Sequence, residues 1–466
     1  MTNRTLPSAT HADVSEAEAF FAAHPEVDAI DMIFSDFAGV PRGKRLTRDE
    51  VIAVYTGGRY FPGSIVVVDV TGRDTEETGL VWEDGDADRS MKPVPGTLVL
   101  VPWAGPRAAQ FLVSFYELDG TPHDLDSRHI LGGVVDRLAA DGHTPVMAIE
   151  LEFYLLDARR NRDGSPRVAR PDYNRTTPTG IEVYGMRELE DMRAFIDALH
   201  DGARVQGLPL ESAISEYAPG QFELTLRHKA DAIRACDDAI MYKRLVKAVA
   251  QTMGYDATFM AKPFANSAGS GMHIHVSMND DAGVNAFASD DPEGSPLLKQ
   301  AVAGMMATIA DGFAIYAPHA NSYRRFRANS YAPVAPTWGV NNRTVSFRVP
   351  AGPPPSRHIE HRCCGADANP YLAAAAVLAG IHHGFDKQLD PGPAVVGNGY
   401  DQAEKAGSSL PRNWFAAVDA FEGSALMRDY LGDRFVTMFT CVKRVEQDRF
   451  FAEVMPLDYQ WYLRNA

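Results

Sequence analysis

Apolar residues along the chain switch between alternation and helical spacing, and the switches mark out its elements. Residues 1–12 read as a disordered lead, after which Ser15 with Glu18 forms a capping box for a short helix ending before Pro25. "VDAIDMIFSDFAGVPRGKRL" predicts two strands around an Ala-Gly-Val-Pro turn, and Thr47 with Glu50 caps the next helix. Further strands are predicted at "SIVVVDV", "TLVLVPW" and "QFLVSFYEL". Residues 1–120 thus read as a small strand-rich domain, with the polar stretch "DGTPHDLDSRH" (119–129) as the boundary to a larger domain over 121–466.

In the larger domain Ile130, Leu131, Val134, Val135 and Leu138 recur at helical spacing, and Gly142 stops that helix before the strand "TPVMAIELEFYLLD". The alternation continues with a helix near 188–205, strands near 211–227, a helix at 231–253 and strands near 257–264 and 272–278. Long helices are predicted at 295–316 and 370–385, and 389–411 is a loop by composition. Helices mixed with strands in this order predict an α+β fold.

The strand at 144–157 changes the picture, because Glu150 and Glu152 alternate with Ile149, Leu151 and Phe153. Residues two apart share a face of a strand, so the two carboxylates stand side by side. A lone Glu-x-Glu is ordinarily a solvated face. Three other segments repeat the pattern, however: Glu216 and Glu223 flank a turn, His273, His275 and Ser277 fall at period two, and so do His358, Glu360 and Arg362. Five glutamates and a histidine converging on one cavity need compensating charge. Oxygen-rich sets with an occasional imidazole suit Mg²⁺ or Mn²⁺ better than zinc. The arginines crowded between Arg324 and Arg362 either pair with acidic residues on the surface or grip carboxylates and phosphates. The glycine-rich "KPFANSAGSGMH" has neither P-loop nor dinucleotide-fold order. Metals, clustered arginines and a glycine turn together describe phosphoryl transfer.

Composition narrows the class. The chain has 466 residues, 45% of them hydrophobic, and a formal net charge of −16, which argues against a nucleic-acid partner. Its four cysteines, Cys236, Cys363, Cys364 and Cys441, lack metal-site spacing and read as reduced thiols. The N-terminus carries no apolar signal core, and the run "YLAAAAVLAG" is about half the length a bilayer requires. A cytoplasmic protein with no membrane partner is expected.

With these segments in view, the chain resembles the glutamine synthetase family, type I branch. "KPFANSAGSGMHIHVS" is similar to the family's ATP-region signature, and "HANSYRRF", "NNRTVSFRVP", "IEHR" and "ANPYL" follow in the family's order. The resemblance implies a β-grasp-like N-terminal domain, a catalytic α/β domain with a curved antiparallel sheet, and formation of a γ-glutamyl phosphate from glutamate and ATP. It assigns one metal to Glu152, Glu216 and Glu223 and another to Glu150, His273 and Glu360, with two or more ions per site. It assigns glutamate to Gly269, Arg325 and Arg362, the transferred phosphoryl group to Arg343 and Arg348, and the nucleotide side to His275, Ser277 and His358. Asp36 would reach a neighbouring subunit's site, and either it or Glu216 would take the amine's proton. A homo-oligomer of two hexameric rings, a dodecamer, is implied.

Departures bear on the substrate. Tyr331 stands where glutamine synthetases carry a glutamate that handles ammonium, Ala268 replaces an asparagine, and His358 an arginine. An aromatic wall suits an amine with a carbon tail, partly through cation–π contact. These changes resemble the γ-glutamylpolyamine and γ-glutamylputrescine synthetases. A glutamine synthetase using ammonium is the alternative reading, and a non-catalytic relative binding glutamate or amines is a third.

Overall fold

In the computed structural model, residues 10–171, 176, 178, 180–403 and 410–466 are described. Their strands form two sheets. The first carries the order Pro41–Leu46, Ala29–Ser35, Ala108–Tyr116, Asp88–Pro93, Arg59–Pro62, with Val99–Leu100 also paired to Ala108–Tyr116. Ala29–Ser35 and Ala108–Tyr116 run parallel, while the other pairs are antiparallel.

The second sheet carries the order Trp338–Val340, Phe347–Val349, Ile359–His361, Met272–Asn279, Thr144–Asp157, Gln221–Leu226, Leu210–Ser215. Tyr255–Thr258 continues the pairing at the end of Thr144–Asp157. The sheet is antiparallel except at its edge, where Trp338–Val340 and Phe347–Val349 are parallel. Helices Ser127–Ala140, Ala232–Thr252 and Pro370–Lys387 bury their apolar faces in one continuous core. Asn369 caps the last of these by accepting from Tyr371 N, and Pro370 occupies the first turn, where its missing N–H costs nothing. Asn369 Nδ2 also donates to Asp36 O at 2.9 Å, tying the first sheet to the start of that helix.

Several local expectations are corrected. The first helix, Val14–Ala23, is capped by Asp13, whose carboxylate accepts from Ser15 N, so Ser15 is not the cap. Residues 1–9 lie outside the described residues, but Ala12, expected in the disordered lead, is buried with its N–H on Pro93 O. "SIVVVDV" is no strand: Gly63–Val67 is a 3₁₀ turn that buries Val66 and Val67, and Val66 O accepts from Phe37 N. "TLVLVPW" contributes only Val99–Leu100. The strand expected at 257–264 is Tyr255–Thr258, the helix at 295–316 divides into Pro296–Thr308 and Phe313–Tyr316, and the loop 389–411 contains a short helix at Gly399–Ala403. The four cysteines are free thiols. Among the described residues no helix is long and apolar enough to cross a membrane.

Candidate active site

Register in the second sheet assembles the acidic residues. Alternation sends Ile149, Leu151 and Phe153 into the core and turns Glu150 and Glu152 to the opposite face. His273 stands directly opposite Glu150, and Glu223 directly opposite Glu152. On the next strand, Glu360 faces His275 on one side and Arg348 on the other. Ligand atoms of Glu150, His273 and Glu360 lie within 4.8 Å of one another, and so do those of Glu152, Glu223 and His273. The set expected from the resemblance, Glu150 with His273 and Glu360, is thus brought together. The other set is completed here by His273, while Glu216 stands on the turn beyond Ser215 and acts on its neighbours through its charge.

Burial, neighbouring charges and hydrogen bonds together set the charge of each carboxylate. Burial would raise Glu150, but His273 Nδ1 at 2.6 Å and His275 Nε2 at 3.2 Å outweigh it and hold this acid well below its usual range. Burial would likewise raise Glu360, yet the Arg362 guanidinium wins and brings it to about 2. Glu152 accepts from Gly271 N at 2.8 Å and Gln221 Nε2 at 3.2 Å, but burial and the Glu216 charge push it up to about 8. Burial and the nearby Glu150, Glu152 and Glu216 push Glu223 up to about 11, and burial with Glu150 also raises Glu216.

Imidazole hydrogen bonds therefore satisfy Glu150 and arginines satisfy Glu360, while Glu152, Glu216 and Glu223 are pushed toward the protonated form. This half-compensated, oxygen-rich donor set fits divalent cations, whose charge would keep these carboxylates ionised.

The arginines ring this cluster. Arg348 Nη1 donates to Glu360 Oε2 at 2.8 Å, and Arg362 donates to the other oxygen of the same carboxylate. Arg325 is buried, with its guanidinium on Cys363 O and Arg362 O at 3.2 Å each. It packs on the glycine turn: a Cβ on Gly269 would lie 2.7 Å from Ala261 O and 2.8 Å from Arg325 Cγ. Only glycine permits that approach. Arg343 is exposed and donates to Tyr184 Oη at 2.9 Å. Ser277 is buried two residues past His275, whose Nδ1 lies 3.1 Å from His358 Nε2. Tyr331 is 57% exposed at φ +58°, and its carbonyl accepts from Arg362 Nη2 at 3.4 Å.

Asp36 is not brought to this cluster. Within this single chain its carboxylate is fully buried, accepting from Val40 N at 2.9 Å and Arg42 Nε at 2.5 Å. Burial raises its proton affinity despite Arg42.

Gln221, Tyr184 and His228 escaped the sequence reading. Gln221 bridges Glu152 and Gly269 O. The period-two rule that found Glu223 reaches Gln221 as well, at the position two before it. His228 packs its ring against His275 and His358 from just beyond the Glu223 strand, where alternation gives no signal.

Comparison with known proteins gives a consistent result. Residues 124–462 match the glutamine synthetase catalytic domain. The chain is 38% identical over 453 residues to gamma-glutamylputrescine synthetase PuuA of Escherichia coli (strain K12), covering 97% of this chain and 95% of that protein. It is 33% identical over 463 residues to gamma-glutamylethanolamide synthetase GlnA4 of Streptomyces coelicolor, covering 97% and 95%. The solved structure of a GmaS/ADP complex superposes with a TM-score of 0.83 at 27% identity, covering 97% of this chain and all of that one.

Proposed function

The chain belongs to the glutamine synthetase family, and from that premise we propose that its acceptor is a primary amine with a carbon tail, putrescine or a related polyamine, in preference to ammonium. The reaction is an ATP-dependent ligation of glutamate to an amine, forming a carbon–nitrogen bond. Tyr331 is the observation that carries the preference: an exposed aromatic ring on a backbone whose carbonyl is held by Arg362. A phenol beside the arginine that grips glutamate offers an apolar wall and a π face where ammonium would need an anionic cage.

In this reading Arg325, Arg362 and Gly269 bind glutamate and aim its γ-carboxylate at ATP. That oxygen attacks the γ-phosphorus, the bond to the bridging oxygen breaks, and ADP departs. Arg343 and Arg348 neutralise the phosphoryl charge in transit, and His275, Ser277 and His358 lie on the nucleotide side. The amine lone pair then attacks the acyl carbon, phosphate leaves with the carbon–oxygen electron pair, and the nitrogen loses a proton. Glu216 is the favoured acceptor, since Asp36 is sealed by Arg42 whereas Glu216 is half-buried at the cluster. Glu150, Glu152, Glu223, Glu360 and His273 would hold divalent cations, which would supply charge neutralisation for the phosphates.

Self-association is part of the proposal, with two hexameric rings as the form the family implies. Phe451, Leu457, Tyr459, Trp461, Tyr462 and Leu463 are all exposed near the C-terminus, an apolar surface that a second copy would cover. The function is tested by phosphate release with glutamate and ATP across ammonium, putrescine, ethanolamine and monoamines. Putrescine or another carbon-bearing amine should lead, and a clear preference for ammonium would defeat the Tyr331 argument.

A further inference from the structure

Three imidazoles meet beside the acidic cluster. His228 follows the Gln221–Leu226 strand, His275 lies within Met272–Asn279, and His358 precedes Ile359–His361. Ligand nitrogens of the three lie within 4.8 Å of one another. Their ring centroids are 5.2 Å apart for His275 and His358, 5.3 Å for His228 and His358, and 5.7 Å for His228 and His275. The donor set is nitrogen only, unlike the neighbouring carboxylates.

Hydrogen bonds on the far sides of two rings show which nitrogens face inward. His358 Nδ1 lies 2.8 Å from Ser356 O, and a carbonyl only accepts, so Nδ1 carries hydrogen and Nε2 holds a lone pair. His275 Nε2 lies 3.2 Å from Glu150 Oε2, an acceptor when ionised, which leaves His275 Nδ1 pointing at His358 Nε2 across 3.1 Å. These two inward-facing nitrogens, 3.1 Å apart, are placed to share one small cation. A carbonyl and a carboxylate behind the rings are the outer partners that orient histidines for a metal. His228, the exposed member, completes the triangle, and three protein ligands are the number that leaves a fourth position for water in open zinc sites.

We propose that His228, His275 and His358 form a three-imidazole site for a divalent transition metal of the zinc class, separate from the carboxylate set that favours Mg²⁺. Imidazole selects Zn²⁺, Ni²⁺ or Cu²⁺ over Mg²⁺, which binds oxygen, so the two sites sort ions by chemistry. An ion here adds positive charge next to Glu150, which His275 contacts at 3.2 Å. On the reading that these histidines lie on the nucleotide side, occupation slows ligation.

The test uses the intact protein in saturating Mg²⁺, titrated with Zn²⁺ against a chromophoric chelator, alongside His228→Ala and His228→Gln. The wild-type chain should bind one zinc ion more than either variant, or bind it at least about tenfold more tightly. Co²⁺ should report a nitrogen-rich, low-coordinate spectrum that both variants lose. Zn²⁺ should slow wild-type phosphate release and slow the variants less. Equal zinc affinity in wild type and both variants, or displacement of zinc by excess Mg²⁺, overturns the site by assigning the ion elsewhere. Because binding and the Co²⁺ spectrum need no turnover, their outcome is independent of whether the amine-ligase reading holds.

Discussion

Glu150 and His273 face each other across two antiparallel strands, with Oε1 2.6 Å from Nδ1. The same carboxylate meets His275 through its other oxygen, so it stays ionised despite burial. Glu152, two residues along the same face, accepts from an amide and a backbone N–H, and burial with the Glu216 charge pushes it up to about 8. One strand thus holds one carboxylate kept ionised by its partners and one whose charge burial and acidic neighbours disfavour. The predictions below follow from that asymmetry and from the groups around it.

Glu152→Ala removes an oxygen ligand from the under-compensated half of the cluster. Ligation should fall by at least about a hundredfold, the upper range for loss of a supporting metal contact, while the fold persists. Phosphate release and a circular-dichroism melt read the two effects. Full activity at ordinary Mg²⁺ refutes the assignment of this residue to a metal.

Stability without metal should depend on pH in a defined direction. Glu152 and Glu223 have folded pKa values raised to about 8 and about 11 from an ordinary 4.5, so the folded state binds more protons than the unfolded chain between those limits. Their contribution therefore declines as pH rises above 4.5 and through the folded values. Glu150 and Glu360, which are lowered, contribute a term that is complete above 4.5 and is lost only as pH falls below it. Melting temperatures in chelator should fall from pH 6 to pH 9 relative to those in Mg²⁺, and identical slopes would speak against cation binding at these carboxylates.

Gly269→Ala places a methyl 2.7 Å from Ala261 O and 2.8 Å from Arg325 Cγ. Both contacts are too short, so the Ala261 backbone and Arg325 must shift, at a cost of about 1–3 kcal/mol for an overpacked site. The expected signature is a raised KM for glutamate with a smaller change in that for ATP.

Tyr331→Glu restores an anionic group beside Arg362 and removes the aromatic wall. The ratio of kcat/KM for ammonium over putrescine should rise by about tenfold or more, the range one pocket contact controls. An unchanged ratio would place amine selection elsewhere.

Deleting 454–466 strips Leu457, Tyr459, Trp461, Tyr462 and Leu463. Sedimentation should show a smaller assembly than the full chain forms. An unaltered assembly would mean that this apolar segment serves no contact between copies.

Much of the site was legible because alternation is a local property. Glu150 and Glu152 share a face whatever pairs with them, and the same rule located His273, His275, Glu360 and Arg362. Apolar runs were less informative: Gly63–Val67 has strand-like residues, yet it buries Val66 and Val67 from a tight turn. Likewise the 295–316 pattern hides the break between Thr308 and Phe313, because both pieces bury the same kind of face.

The sequence by itself determined the composition of the acidic face, the residues that compensate it and the family that shares the motifs. Only the tertiary structure decided that Glu223 confronts Glu152, that Glu360 is clamped by Arg348 and Arg362, that Asp36 is closed off by Arg42, and that His228 joins two other imidazoles. The reason is range. Which face a side chain takes depends on its immediate neighbours, whereas its charge depends on partners set by strand register between segments as far apart as residues 150 and 360.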